Sequence, residues 1–247
     1  MPGQQREYVG DFKKTHNFRP ILSVAKHILQ GKSLARALLD LAITGHEIGG
    51  KILDLGSASA SPSYLKYLQV SPNSEVIFSD LQGKEGVISL NVEQPFPLPD
   101  ESFDIVLSFN LFEHVYNFHV APPEIFRILR KGGRAFVSTP FLYDYHPDPE
   151  DFFRFTDKAI LRLWKDAGFR CISIEVIGEG LITNFATKLP QLILPGWAQS
   201  WLSALLYLIT SPIDRLLALI PRRSGITLPE RFALEYLAIC SKSSNEV

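Results

Sequence analysis

The side chains in this sequence that could do chemistry gather in four short clusters. Asp54 and Gly56 end an apolar run, Ile52-Leu53-Asp54-Leu55, and open a loop of very small side chains, Ser57-Ala58-Ser59-Ala60-Ser61. A glycine that accepts any backbone angle lets such a loop approach a ligand closely, which suits a nucleotide-like group. Asp80 ends a second apolar run, and a carboxylate some twenty residues beyond a small-residue loop can accept hydrogen bonds from both hydroxyls of a ribose. Its other reading is a loop-capping aspartate. Asn110, Glu113 and His114 follow a third run, and His146, Asp151 and Arg154 stand among aromatics in 141–156. An imidazole beside a carboxylate can move a proton, and a guanidinium can orient a carboxylate or hold an anion. Asp151 and Arg154, three apart, equally suit an ion pair at a helix start with Thr156 as the cap.

These clusters need a frame that brings several strand ends to one crevice. Residues 51–55, 75–80, 86–92, 105–110, 134–140 and 170–176 are short apolar runs bounded by turn residues, as buried parallel strands are. Helical patterns fill the intervals: one after Pro62 through Leu68, one opened by Pro122 and Pro123 through Leu129, and one over 157–167 closed by Gly168. Two amphipathic helices, broken at Gly31 and ending by Gly45, precede the first strand. Residues 1–17 are polar and read as a loosely docked arm without chemistry. The last strand spans 232–240. Strands alternating with helices make an α/β protein, whose ligand crevice lies beyond the carboxyl ends of its strands.

In order, these motifs resemble those of class I S-adenosylmethionine-dependent methyltransferases, the small-molecule type in particular. Asp54-Leu55-Gly56-Ser57-Ala58-Ser59-Ala60 is similar to the family's Asp/Glu-x-Gly-x-Gly-x-Gly loop, with Ala58 and Ala60 in place of the later glycines. Pro95-Phe96-Pro97-Leu98-Pro99-Asp100-Glu101-Ser102-Phe103-Asp104 resembles its LPFPDxSFD signature, Leu111 to Val115 its LEHV, and Arg127 to Gly133 its RxLRxGG. His146, Pro149, Asp151, Arg154, Phe155 and Thr156 resemble the HxxPxDxxRFT of a subset. The resemblance covers 50–177 and the last strand. It implies a Rossmann-like seven-stranded sheet, mostly parallel, with the last strand antiparallel beside the fifth and sixth and helices on both faces. It further implies that Asp54, Gly56, Ser57, Ala58, Asp80, Leu81, Asn91, Val92 and Asn110 bind S-adenosylmethionine, Asn91 accepting from the adenine amino group. The methyl acceptor would meet Glu113, Tyr143, Asp151 and Arg154, and His146 or His114 would take a proton from a hydroxyl acceptor. Phe103 and Asp104 are expected to anchor the fourth strand. No residues are assigned to a metal.

The 247 residues suit one domain: an arm and helices over 1–49, a cofactor-binding core over 50–177, an apolar helical insertion over 178–229, and the last strand and tail over 230–247. A net charge of -1 gives no surface for a polyanion, so nucleic acid is not an expected partner. The start lacks an apolar signal core, which predicts a cytoplasmic protein. Cys171 and Cys240 are expected to be reduced neighbours across the last two strands. Residues 189–213 carry no formal charge but are broken by Pro190, Pro195 and Pro212, so a membrane-spanning helix is not expected. The segment reads as a cap over the acceptor, or as a peripheral membrane contact in which Trp197 and Trp201 meet the headgroups beside Arg215, Arg222 and Arg223. The acceptor class is a small molecule or a lipid- or sugar-linked group. Two rivals are a nicotinamide-dependent oxidoreductase, which leaves 91–114 unexplained, and an inactive methyltransferase-like binding or membrane-associated protein, suggested by Ala58 and Ala60.

Overall fold

Apolar residues on both faces of the central strands demand a layer of helices on each side, and the chain supplies them. The computed structural model describes residues 12–57, 59–221 and 225–243. In order, the elements are β1 (Phe12–His16), α1 (Ile21–Leu29), α2 (Leu34–Ile43), β2 (Glu47–Ile48), β3 (Lys51–Leu55), β4 (Gln69–Val70), β5 (Glu75–Asp80), β6 (Val87–Ser89), β7 (Phe103–Phe109), α3 (Ala121–Ile128), β8 (Leu129–Pro140), α4 (Asp157–Asp166), β9 (Cys171–Ile177), α5 (Leu181–Ala186), α6 (Leu189–Ile193), α7 (Gly196–Ala218), α8 (Leu228–Arg231) and β10 (Glu235–Ser241). One sheet has the order β1-β9-β10-β8-β7-β3-β5-β6, and β10 runs antiparallel between β8 and β9. Alternation along the strands splits the core: Ile52, Ile105, Leu107 and Phe136 pack with α1 and α2, whereas Leu53, Leu55, Val106 and Val137 pack with α3 and α4.

The mostly parallel sheet, its antiparallel last strand and the helices on both faces agree with the sequence reading. Asp104 and Phe103 anchor β7 as expected: Phe103 is buried, and the Asp104 carboxylate accepts from Lys51 N at 2.8 Å and Arg130 Nη1 at 2.6 Å. Cys240 pairs with Ile172 and Cys171 with Ser241, which puts the two cysteines one register step apart on adjacent strands. Cys240 is a free, buried thiol.

Two expectations need correction. Among the described residues the sheet has eight strands, because residues 12–16 of the supposed arm pair in parallel with β9 from Phe12↔Ile172 to His16↔Val176. An edge strand needs little apolar patterning, and here ion pairs from Lys14 to Asp157 (3.2 Å) and Glu230 (2.8 Å) hold it down. The helix expected after Pro62 is a single 3₁₀ turn, Leu65–Tyr67, since the buried Tyr64 ring packs on Phe109 at 4.9 Å and its hydroxyl donates to Asp54. A small ladder between β2 and β4 was not foreseen.

The insertion is helical, and its longest helix is turned inside out. α7 buries Ser203, Ala204, Tyr207, Thr210, Ser211 and Asp214, and it exposes Trp197, Trp201, Leu205, Ile209 and Leu216. Polar groups hold this orientation. The fully buried Glu179 accepts from Tyr207 Oη at 2.9 Å, Ser211 Oγ at 3.0 Å and Arg215 Nη2 at 2.7 Å, and Asp214 accepts from the Thr183 backbone N–H at 2.7 Å.

Candidate active site

The register aligns the strand ends that form the crevice. Leu55 lies opposite both Ser79 on β5 and Ser108 on β7, so Gly56, Asp80 and Asn110 leave the sheet side by side. Gly56 has φ +71°, a left-handed angle natural only to glycine, and a Cβ there would stand 2.7 Å from Leu111 Cδ1. Ser57 N donates to Ser79 O at 2.9 Å, tying the loop to β5, and its hydroxyl donates to Ser59 O at 2.6 Å. Asn110 also takes a left-handed angle, φ +53°, and its Oδ1 accepts from Ser138 Oγ at 2.5 Å. Ala58 lies outside the described residues.

Asp54 is fully buried behind this loop. One carboxylate oxygen accepts from Tyr64, and the other has no hydrogen-bond partner among the described residues. Burial pushes its pKa up to about 7, against the pull of the Tyr64 and Ser57 hydroxyls. Asp80 is half-buried at the end of β5, and Leu81 beyond it is 56% exposed, open to a flat group. Asn91 is already engaged, its Oδ1 accepting from Glu93 N at 2.9 Å in a local turn, while Val92 packs against the core.

A second group sits where β7 and the loop 141–156 meet. Glu113 is fully buried with neither oxygen hydrogen-bonded, and burial pushes its pKa up to about 8. His114 Nε2 lies 3.8 Å and His146 Nε2 3.9 Å from Glu113 Oε1. Arg154 grips Asp151 through Nη1 at 2.5 Å and Nη2 at 2.7 Å, and Asp151 also accepts from the His146 backbone N–H at 2.8 Å. The guanidinium beside it holds the Asp151 carboxyl well below the usual carboxylate range. The ion-pair reading of Asp151 and Arg154 is what the contacts show, with Thr156 Oγ1 capping α4 through Ala159 N at 3.2 Å, and the same pair holds the His146 backbone. Tyr143 places its ring edge-on to His146 at 4.7 Å, and burial lowers the His146 pKa from its ordinary value.

Sequence reasoning missed Glu235, the first residue of β10. It is fully buried and its oxygens lack hydrogen bonds of good geometry, so burial pushes its pKa up to about 7, although Ser138 and Asn110 flank it. A carboxylate opening an apolar strand was the available signal. The insertion's inner side adds a polar crevice lined by Lys32, Asp144, Asn184, Lys188, Gln191 and Gln199, next to Tyr143. Arg215, expected among the headgroup cations, faces Glu179 instead, and Arg222 and Arg223 lie outside the described residues.

The profile of the methyltransferase domain family matches residues 53–137, the span from β3 into β8. A protein of Mycolicibacterium smegmatis described as a probable S-adenosylmethionine-dependent methyltransferase is 43% identical over 51 residues, which is 21% of this chain. The match spans only 20% of that relative's length. Among solved structures, a chain of the complex between the Haloferax volcanii Trm112 methyltransferase activator and a methyltransferase superposes with a TM-score of 0.50 at 17% identity, covering 92% of this chain and 100% of that one. A S-adenosylmethionine-dependent methyltransferase from Archaeoglobus fulgidus gives 0.50 at 14% identity, covering 88% and 94%. The [4+2]-cyclase SpnF gives 0.51 at 13% identity, covering 91% and 94%. At such identities the structural likeness is one of fold, and SpnF illustrates that one fold hosts several chemistries.

Proposed function

We propose that this chain is a class I S-adenosylmethionine-dependent methyltransferase, the reading supported by the domain match over 53–137, and that it methylates a hydroxyl-bearing small molecule or lipid- or sugar-linked group whose polar part enters the crevice beneath the insertion. The observation that carries the cofactor reading is the partnerless, buried oxygen of Asp54 behind the left-handed turn at Gly56. A buried carboxylate in want of a partner fits a cationic amino group, and the turn leaves room beside it. Asp54 would hold that ammonium, Asp80 the ribose, and Leu81, Asn91 and Val92 the adenine. S-adenosylmethionine, when bound, supplies the activated methyl group.

The chain's own residues would position the acceptor, exclude water and receive its proton. His146 is suited to the last task. Its Nδ1 rests 2.9 Å from Asp144 O, which leaves Nε2 able to accept, and burial favours the neutral ring near pH 7. Asp151 and Arg154 fix the ring's position and Tyr143 limits its rotation.

The outer face of the insertion supports contact with a lipid surface. Trp197 is 81% exposed and Trp201 70%, and the charged side chains of α7, Asp214 and Arg215, both turn inward. An apolar, charge-free face carrying tryptophans suits the headgroup boundary of a bilayer. Among the described residues, no helix is long and apolar enough to cross a membrane. The polar crevice lies on the opposite side of the same helices, within reach of a headgroup. The test is calorimetric titration with S-adenosylmethionine and with NAD, followed by mass spectrometry of a cell lipid and metabolite extract incubated with the enzyme and methyl-labelled cofactor. Labelled product is expected. Binding of NAD alone would refute the family chemistry, and tight binding of S-adenosylmethionine with no labelled product would make this a binding protein.

A further inference from the structure

Glu113, His114 and His146 bring three ligand atoms together, and we propose that they form a site for one divalent transition cation such as zinc. Their ligand atoms lie within 4.8 Å of one another. Each imidazole turns its Nδ1 onto a backbone carbonyl, His114 to Glu150 O at 2.6 Å and His146 to Asp144 O at 2.9 Å. A carbonyl only accepts, so each Nδ1 carries the hydrogen and each neutral ring leaves its lone pair on Nε2. Both Nε2 atoms then face Glu113 Oε1, at 3.8 and 3.9 Å, and the fully buried carboxylate has no hydrogen-bond partner on either oxygen.

Three acceptors around a gap repel one another unless a positive centre joins them. A proton on Glu113 would find no acceptor within hydrogen-bond reach. A tetrahedral cation with bonds of about 2.0–2.2 Å holds its ligand atoms about 3.3–3.6 Å apart, so each Nε2 must close on Glu113 Oε1 from 3.8 and 3.9 Å by about half an ångström. Histidines anchored through the second ring nitrogen are what orients metal ligands, and two imidazoles with one carboxylate leave coordination positions open. That donor set favours zinc and its first-row neighbours over magnesium or calcium, which take oxygen ligands. Arg154 Nη2, which can only donate, stands 3.3 Å from His146 Nδ1, but the two acceptors there, Asp144 O at 2.9 Å and Asp151 Oδ2 at 3.4 Å, favour the hydrogen on Nδ1, and the Arg154 charge is matched by Asp151. Only the use of the cation rests on the methyl-transfer reading: bound there, it would take the acceptor hydroxyl as a ligand and lower its pKa, so that the proton passes to solvent water and His146 acts as a ligand in place of a base.

The experiment strips the full chain with EDTA, dialyses it against Zn²⁺ or Co²⁺, and counts bound metal by plasma mass spectrometry. One equivalent per chain is expected, with a visible Co²⁺ spectrum and no displacement by excess Mg²⁺. His146→Ala and Glu113→Gln should each weaken Zn²⁺ binding by roughly tenfold or more, and the exposed His119→Ala should not. Circular dichroism and S-adenosylmethionine affinity measured in EDTA report separately on the fold and the cofactor site. Substoichiometric metal on the folded wild type, or equal binding in all variants, overturns the site. Absence of S-adenosylmethionine binding both with metal and in EDTA would speak against the methyltransferase reading and leave the metal site standing.

Discussion

If Asp54 holds the cofactor's amino group as proposed, cofactor binding should depend on pH in a direction that can be worked out in advance. The Asp54 carboxyl is pushed up to about 7 by burial, so about nine-tenths of it is protonated at pH 6 and about nine-tenths ionised at pH 8. If the ionised form receives the cationic amino group, the apparent affinity for S-adenosylmethionine should rise about tenfold from pH 6 to pH 8, which is ~1.4 kcal/mol. Binding at pH 6 should release about 0.9 proton, readable by calorimetry in two buffers of different ionisation heat. For the free protein the sign is opposite: the folded pKa lies above the unfolded value, so the stability from this group is full below that value and is lost as pH rises through about 7. Thermal stabilisation by the cofactor should therefore grow with pH over the same window. Asp54→Asn should flatten the affinity profile and weaken binding at pH 8 by about 1.5–3 kcal/mol, the range for a hydrogen bond to a charged group. A flat wild-type profile, or a slope that survives in Asp54→Asn, would refute the assignment and shift attention to Glu113 or Glu235.

Asp80→Ala should weaken S-adenosylmethionine binding by about 1–3 kcal/mol, and Asn91→Ala by less because its oxygen already serves Glu93 N at 2.9 Å; calorimetry checks both. Gly56→Val should abolish cofactor binding while circular dichroism stays native, since φ +71° suits only glycine and the clash is with the mobile end of Leu111. Wild-type protein should float with liposomes, with little dependence on salt because the outer face carries no charge, and Trp201→Glu with Leu205→Glu should stay behind. Equal flotation of that variant would leave the insertion as a cap alone.

What the sequence made legible was what is encoded locally. Strand ends at Leu55, Asp80 and Phe109 show as apolar runs meeting turn residues, and the loop pattern from His146 to Thr156 shows as ordered spacing. What it hid depends on distant partners. The strand at 12–16 is polar and exists because β9 offers it an edge. Tyr64 ends a helix before it begins because its hydroxyl meets Asp54. Glu235 reads as one charge in an apolar run, and nothing near it in sequence says that its carboxylate ends up buried beside Ser138 and Asn110.

The insertion shows the same limit most clearly and explains why its position is nevertheless specified. Composition shows an apolar segment, and the ordinary inference would bury its large side chains. The outcome is decided instead by Glu179, a buried carboxylate whose desolvation is offset only if Tyr207, Ser211 and Arg215 all turn toward it. Arg215 also donates to Arg19 O at 2.6 Å, which binds α7 to the segment leading into α1. Rotating α7 to bury Trp197, Trp201 and Leu205 would strand Glu179 and Asp214 without partners. The directional bonds fix the helix, and its apolar residues are left for whatever lies outside. Because the same helix places Gln199 on the wall of the polar crevice, docking the outer face on a lipid surface would hold that crevice at a set distance from the headgroups.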